Sequence, residues 1–165
     1  MTEGLHTYLG SDTVRAGVDA AGWEQAVERV GALLVEAGSV EPRYVEAMQA
    51  TIAEHGAYAV IAPGIALPHA RPEQGVLRPG LALVTLAEAV EFGHSVNDPV
   101  DVVIAFAAVD KAMHVKALQE LATLLADADA VERIRAAASD DELLAALEGS
   151  HEHGPDDDGP PGPGR

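Results

Sequence analysis

The chain contains no cysteine. Disulfides, thiolate nucleophiles and cysteine-built zinc sites are therefore excluded. Aromatic residues make up only 4% of it, as one Trp, three Tyr and two Phe, against 48% hydrophobic residues overall. A core has to be assembled from Ala, Val, Leu and Ile rather than from rings. Basic residues are scarce as well: 10 Lys and Arg stand against 27 Asp and Glu, a formal net charge of −17. That balance repels nucleic acid and anionic membranes, and it suits either a basic protein partner or plain solubility. Long apolar runs are missing too. The longest, Val102 to Val109, is far short of the about 20 residues a spanning helix needs. The start, Met1 to Leu5, has neither the basic nor the apolar region of a secretory signal. A soluble, cytoplasmic protein is expected.

What is present fits one domain of 165 residues. Helical and extended apolar segments alternate, which points to an α/β or α+β class. A short strand is predicted near Thr13–Val18. Trp23, Ala26, Val27, Val30, Leu34 and Ala37 fall at helical spacing, and Gly38 ends that helix. A second helix starts at Glu41-Pro42 and carries Tyr44, Ala47, Met48 and Ile52 to a stop at Gly56. Strands are expected at Tyr58–Ile61, Leu81–Leu86 and Val90–Phe92, and a central one over Val100–Val109. Asn97-Asp98-Pro99 is a turn signal. Asp110 is placed to cap a helix on which His114, Leu118, Leu121 and Leu125 share a face. Ala130–Ala138 and Asp140–Leu147 read as two closing helices. The domain is expected over 1–148. Residues 149–165, rich in Asp, Pro and Gly, are expected to be a disordered tail whose His151-Glu152-His153 is ordinary solvated chain.

The densest chemistry lies in Gly64-Ile65-Ala66-Leu67-Pro68-His69-Ala70-Arg71-Pro72-Glu73. An apolar run delivers His69 to a Pro-flanked loop, with the Arg71 cation two residues on and Arg78 nearby. Imidazole titrates near ~6.5, so its neutral nucleophilic form is abundant at neutral pH. Guanidinium matches phosphate oxygens. His114 falls in the first turn after the Asp110 cap, where a helix N-terminus attracts anions. Its alignment with Leu118 and Leu121 equally suits a hydrogen-bonded core histidine. From spacing alone, metal binding and phosphoryl transfer are both open for the pair.

An ordered series of motifs narrows the choice. Trp23-Glu24-Gln25-Ala26, Tyr44-Val45-Glu46-Ala47-Met48, the segment Pro63 to Glu73, Asn97-Asp98-Pro99-Val100, and Ala107-Ala108-Val109-Asp110 leading to His114 together resemble the A component (enzyme IIA) of the sugar phosphotransferase system. The branch resembled is the mannitol–fructose superfamily, nearest its ascorbate-type members. The resemblance implies a single α/β domain with a mixed parallel and antiparallel sheet flanked by helices on both sides. It implies that His69 accepts a phosphoryl group from the histidine phosphocarrier protein HPr and passes it to a cysteine of a B component (EIIB), and that His114 stabilises the phosphorylated state. No cofactor and no metal are implied. With no cysteine and no spanning helix, the chain would be a free-standing A protein serving separate B and membrane C (EIIC) partners in sugar uptake.

One departure stands out. Mannitol-type members carry an arginine in the helix before the motif. Here Thr51 occupies that place, and no Lys or Arg lies between Arg43 and His69. Arg71 is expected to take over part of that charge. Leu67, Val76 and Leu77 are candidates for an apolar rim around His69, or for ordinary core. Two other readings stand beside the carrier: a regulator of the same fold whose His69 phosphorylation controls a transcription factor or other partner, and a metal-binding or structural α/β module. The ordered part offers no His-x3-His pair to support the metal.

Overall fold

A computed structural model describes residues 12–152. Five strands, β1 (Val14–Val18), β2 (Val60–Ala62), β3 (Ile65–Ala66), β4 (Gly80–Val90) and β5 (Val100–Ala107), form one sheet in the order β1-β4-β5-β3-β2. The pairs β1–β4 and β3–β5 are parallel, and β4–β5 and β2–β3 antiparallel. Helices α1 (Trp23–Glu36) and α2 (Pro42–His55) cover one face, and α3 (Lys111–Leu125), α4 (Ala128–Ala136) and α5 (Asp140–Glu152) the other. The mixed, doubly covered α/β sheet expected from the sequence is what forms.

Alternation along the central strands builds two cores from one sheet. Ala82, Val84, Val103, Ala105 and Ala107 face α1 and α2 with Val27, Val30, Leu34, Tyr44 and Met48. Leu81, Leu83, Val102, Ile104 and Phe106 face α3–α5 with Leu121, Ile134 and Leu143. Each central strand is thus apolar on both faces, which explains the unbroken apolar run in β5.

Several boundaries differ from expectation. β4 is one strand through Val90, where two strands, Leu81–Leu86 and Val90–Phe92, were expected. Its ladder to β5 shifts register between Thr85 and Val90, and Ala87, Glu88 and Ala89 are exposed there. Their polarity and small size break the apolar pattern, while backbone pairing is indifferent to it. Tyr58 lies in a 3-10 turn, Ala57–Ala59, ahead of β2 rather than in a strand. Asp127 accepts from the backbone N–H groups of Asp129 and Ala130, and so starts α4 at Ala128 rather than Ala130. α5 continues past Leu147 to Glu152. The rest of the expected tail, from His153, lies outside the described residues. Among those residues no helix is long and apolar enough to cross a membrane.

Candidate functional site

The loop between β2 and β3 is Pro63-Gly64. Gly64 has φ +76°, which suits a tight turn with Pro first and Gly second. A Cβ on Gly64 would meet the Arg135 guanidinium. That guanidinium also holds Pro63 O at 2.8 Å and the Asp101 carboxylate at 3.0 Å, tying α4 to the turn. The turn fixes where β3 begins, and so the register of all that follows.

β3 pairs in parallel with β5, Ile65 opposite Val102 and Ala66 opposite Val103. Continued residue for residue, that register puts His69 level with Phe106. Alternation puts Ile65, Leu67 and His69 on the side of Phe106 and α3, and Ala66 and Ala70 on the side of α2. The His69 ring stacks on Phe106, with centroids 5.1 Å apart and planes at 25°. β5 ends at Ala107, and Asp110 then caps α3 by accepting from the Met113 N–H at 2.9 Å. One turn into α3, His114 lies 5.1 Å from the His69 ring and 5.2 Å from Phe106. Two histidines far apart in sequence therefore face one another at the carboxyl ends of two parallel strands, a common place for a ligand crevice in α/β sheets.

The protonation of His69 follows from one contact. Its Nδ1 lies 2.9 Å from the Leu67 carbonyl. A carbonyl only accepts, so Nδ1 carries the hydrogen and Nε2 keeps its lone pair. Burial pushes the His69 pKa below 6.5; the Leu67 hydrogen bond works the other way, and His114 adds a smaller depression. A neutral ring with a free Nε2 is the nucleophilic form of histidine. This shift has a measurable sign. The folded protein resists protonating His69, so its ring should titrate by NMR with an apparent pKa below 6.5. The unfolded chain takes that proton first, so the stability contribution is full above the unfolded pKa and is lost as pH falls through 6.5 toward the folded value. A His69 titration at or above 6.5 would contradict the geometry.

The other expected residues are placed as follows. Arg71 is exposed, and its Nε pairs with Glu73 at 3.3 Å rather than with either imidazole. Such an exposed pair holds weakly and opens readily. Arg78 donates to the Ala37 carbonyl at the end of α1, so its charge serves that helix terminus and not the histidines. The Thr51 hydroxyl is spent on Ala47 O, 2.8 Å away in its own helix. Leu67 is buried among Ile104, Phe106 and Leu121, and is core rather than rim; Val76 packs half-buried against the other core, and Leu77 is exposed. Of the exposed apolar side chains, Tyr58 packs beside His69, and Val109 and Val115 lie close to His114 in sequence.

Sequence reasoning missed three contributors. Phe106 is the floor of the site. Tyr58 sets its ring edge-on to His69, centroids 5.8 Å apart, and donates its hydroxyl to His69 O at 3.3 Å. The buried Tyr44 hydroxyl meets the backbone of Ala70 and Phe106. The scarcity of aromatics was the available signal: in a chain with so few rings, three gather around one histidine. Among the described residues no group of three or more His, Cys, Asp or Glu is placed to hold a metal ion.

The family model of the phosphoenolpyruvate-dependent sugar phosphotransferase system, EIIA 2, matches residues 7–150. The ascorbate-specific PTS system EIIA component of Shigella flexneri is 41% identical over 146 residues, covering 87% of this chain and 95% of that one. The mannitol-specific cryptic phosphotransferase enzyme IIA CmtB of Escherichia coli superposes with a TM-score of 0.78 at 29% identity, covering 88% and 98% of the two chains. Enzyme IIA of the mannitol system of Escherichia coli, solved in complex with its phosphorylated enzyme IIB, superposes with a TM-score of 0.74 at 33% identity over 86% and 97%. The match spans nearly all of the described chain, including both histidine segments, and the chain belongs to the EIIA type 2 family of the phosphoenolpyruvate-dependent sugar phosphotransferase system.

Proposed function

We propose that this protein is a phosphoryl carrier. It accepts a phosphoryl group on Nε2 of His69 from phospho-HPr and hands it to the cysteine of a separate EIIB, which serves an EIIC transporter of ascorbate type. The observation that carries this reading is the His69 ring: Nδ1–H spent on Leu67 O, Nε2 unprotonated, and a second imidazole 5.1 Å away. In the accepting step the Nε2 lone pair forms the new N–P bond. The N–P bond to the donor imidazole breaks, and its electron pair returns to the donor nitrogen. Nδ1 keeps its hydrogen on Leu67 O, so the phosphorylated ring is cationic and is a good leaving group for the next transfer. The onward step reverses the logic: the EIIB thiolate attacks phosphorus, and the N–P electron pair returns to Nε2.

Such transfers are mostly positioning and charge stabilisation. His114 supplies an N–H toward the phosphoryl oxygens, and the positive end of α3 lies one turn away. Tyr58, Val109 and Val115 supply an apolar surround that excludes water once a partner docks. The domain that does this is taken as 1–148 together with the last turn of α5 to Glu152, with the segment beyond dispensable.

The direct test is intact-protein mass after incubation with phosphoenolpyruvate, enzyme I and HPr. One acid-labile phosphoryl group per chain is expected. No mass increase with active enzyme I and HPr would overturn the reading.

Arg71 is assigned part of the charge role left by Thr51, through release from Glu73 when the phosphoryl group arrives. Arg71→Ala should slow acceptance about 3–10-fold, the effect of a partly exposed charged contact. Wild-type rates of acceptance and onward transfer in that variant would remove Arg71 from the site.

A further inference from the structure

The peptide unit joining His69 to Ala70 is held at both ends by tyrosine hydroxyls. Its carbonyl accepts from Tyr58 Oη at 3.3 Å, and its N–H donates to Tyr44 Oη at 3.0 Å. In a trans peptide these two groups point in opposite directions, so the plane is gripped from two sides. Tyr44 does more than accept. With its one proton it reaches the carbonyl of Phe106 at 2.9 Å, with Ala70 O as the alternative acceptor at 3.1 Å. The same oxygen thus links the backbone just after His69 to the backbone of the residue on which the His69 ring stacks. Tyr44 is fully buried, and burial pushes its pKa up to about 12, so it stays a neutral donor.

We infer that Tyr44 and Tyr58 are positioning residues for phosphoryl transfer, clamping the His69–Ala70 peptide so that the His69 ring lies on Phe106 with Nδ1 on the Leu67 carbonyl and Nε2 presented outward. Neither hydroxyl bonds to the His69 ring: both hold its backbone, while the Tyr58 ring packs edge-on against the imidazole. They act through the torsions of His69: a rotated peptide turns the ring away from Leu67 O, and the two tautomers then mix. A nucleophile nitrogen that is protonated part of the time, and off line the rest, reacts slowly although the partner still docks.

The activity arm of the test rests on the carrier reading; the tautomer arm does not. Tyr44→Phe and Tyr58→Phe are made in the full chain. Long-range 1H–15N spectra report the His69 tautomer, and rates against phospho-HPr give kcat and KM. Tyr44→Phe is expected to move His69 from the Nδ1–H form toward a mixture and to lower kcat about 10–100-fold, the scale of an ångström-level misplacement, with KM nearly unchanged. Tyr58→Phe is expected to shift both readouts in the same direction by about 2–3-fold, because water replaces its longer, half-exposed bond. A Tyr44→Phe protein that melts earlier yet keeps the tautomer and kcat of the wild type would overturn the inference. If Tyr44→Phe does not fold, Tyr58→Phe decides: an unchanged tautomer and kcat there would overturn it. A wild type that takes no phosphoryl group would sink the carrier reading instead, and the tautomer would then decide the clamp.

Discussion

His69→Ala is expected to take no phosphoryl group at all while remaining folded. On the carrier reading proposed above the acceptor atom is Nε2 of that ring, while the neighbouring imidazole, His114, packs against Phe106 one helical turn inside α3. Loss of the nucleophile in a covalent carrier is worth at least about 10⁴-fold in rate, or about 5.4 kcal/mol of barrier. The structural cost is far smaller. The ring is half-buried, and its Nδ1 is hydrogen-bonded to Leu67 O. Its removal should cost about 1–2 kcal/mol, against the roughly 5–15 kcal/mol by which domains are stable. Intact mass with and without the donor system, beside a thermal melt, separates the two effects. A phosphorylated His69→Ala protein would move the acceptor elsewhere, and a molten one would leave the assignment to a milder variant such as His69→Gln.

His114→Ala is expected to accept the group but hold and pass it badly. A single preorganised donor to a developing oxyanion is worth about 10²–10³-fold, or about 2.7–4 kcal/mol. Here the two imidazoles lie 5.1 Å apart with their planes at 62°, a tilted pair rather than a parallel stack, and on the carrier reading proposed above His114 is that donor. Acceptance should slow, and transfer to EIIB should slow about 10²-fold, with the phosphorylated form hydrolysing faster than in the wild type. Rapid-quench measurement of both half-reactions checks this. Normal forward transfer from His114→Ala would reduce the residue to a core histidine packed on Phe106.

The two substitutions differ for a reason that the fold makes visible. His69 hangs from a loop pinned by Gly64, Leu67 and the Ala70 contact, and its chemistry is its own nitrogen. His114 is carried by a rigid helix whose start is fixed by Asp110. Its removal is expected to leave the His69 loop in place, although it takes away a ring packed beside His69 and Phe106.

Much of the fold is legible in the sequence alone. The Asp110 cap, the Gly38 and Gly56 stops, and the apolar runs of β4 and β5 are local signals with local causes, and the helices and most strands follow from them. Motif order placed His69 and His114 in one family pattern. The misreadings were equally local. Leu67 was left open between rim and core because it neighbours His69, and strand alternation turns it into the α3–α5 core. Arg78 looked like a phosphate ligand because it is a cation close to the motif, yet the nearest orphan carbonyls are those ending α1. Tyr58 was read as strand from its ring and its apolar neighbours, and forms a 3-10 turn that brings that ring over His69.

The sequence by itself determined most helices and strands, the segment that carries each histidine and the exclusion of thiol chemistry, because periodicity, capping and composition act over a few residues; they left α/β and α+β open, and the family resemblance chose between them. Only the tertiary structure decided that His69 meets His114, that Phe106 lies beneath both, and that Nε2 is the free nitrogen. Those outcomes depend on the parallel register of β3 with β5 and on one carbonyl, Leu67 O, and pairing between strands distant in sequence is set by the packing of both cores at once.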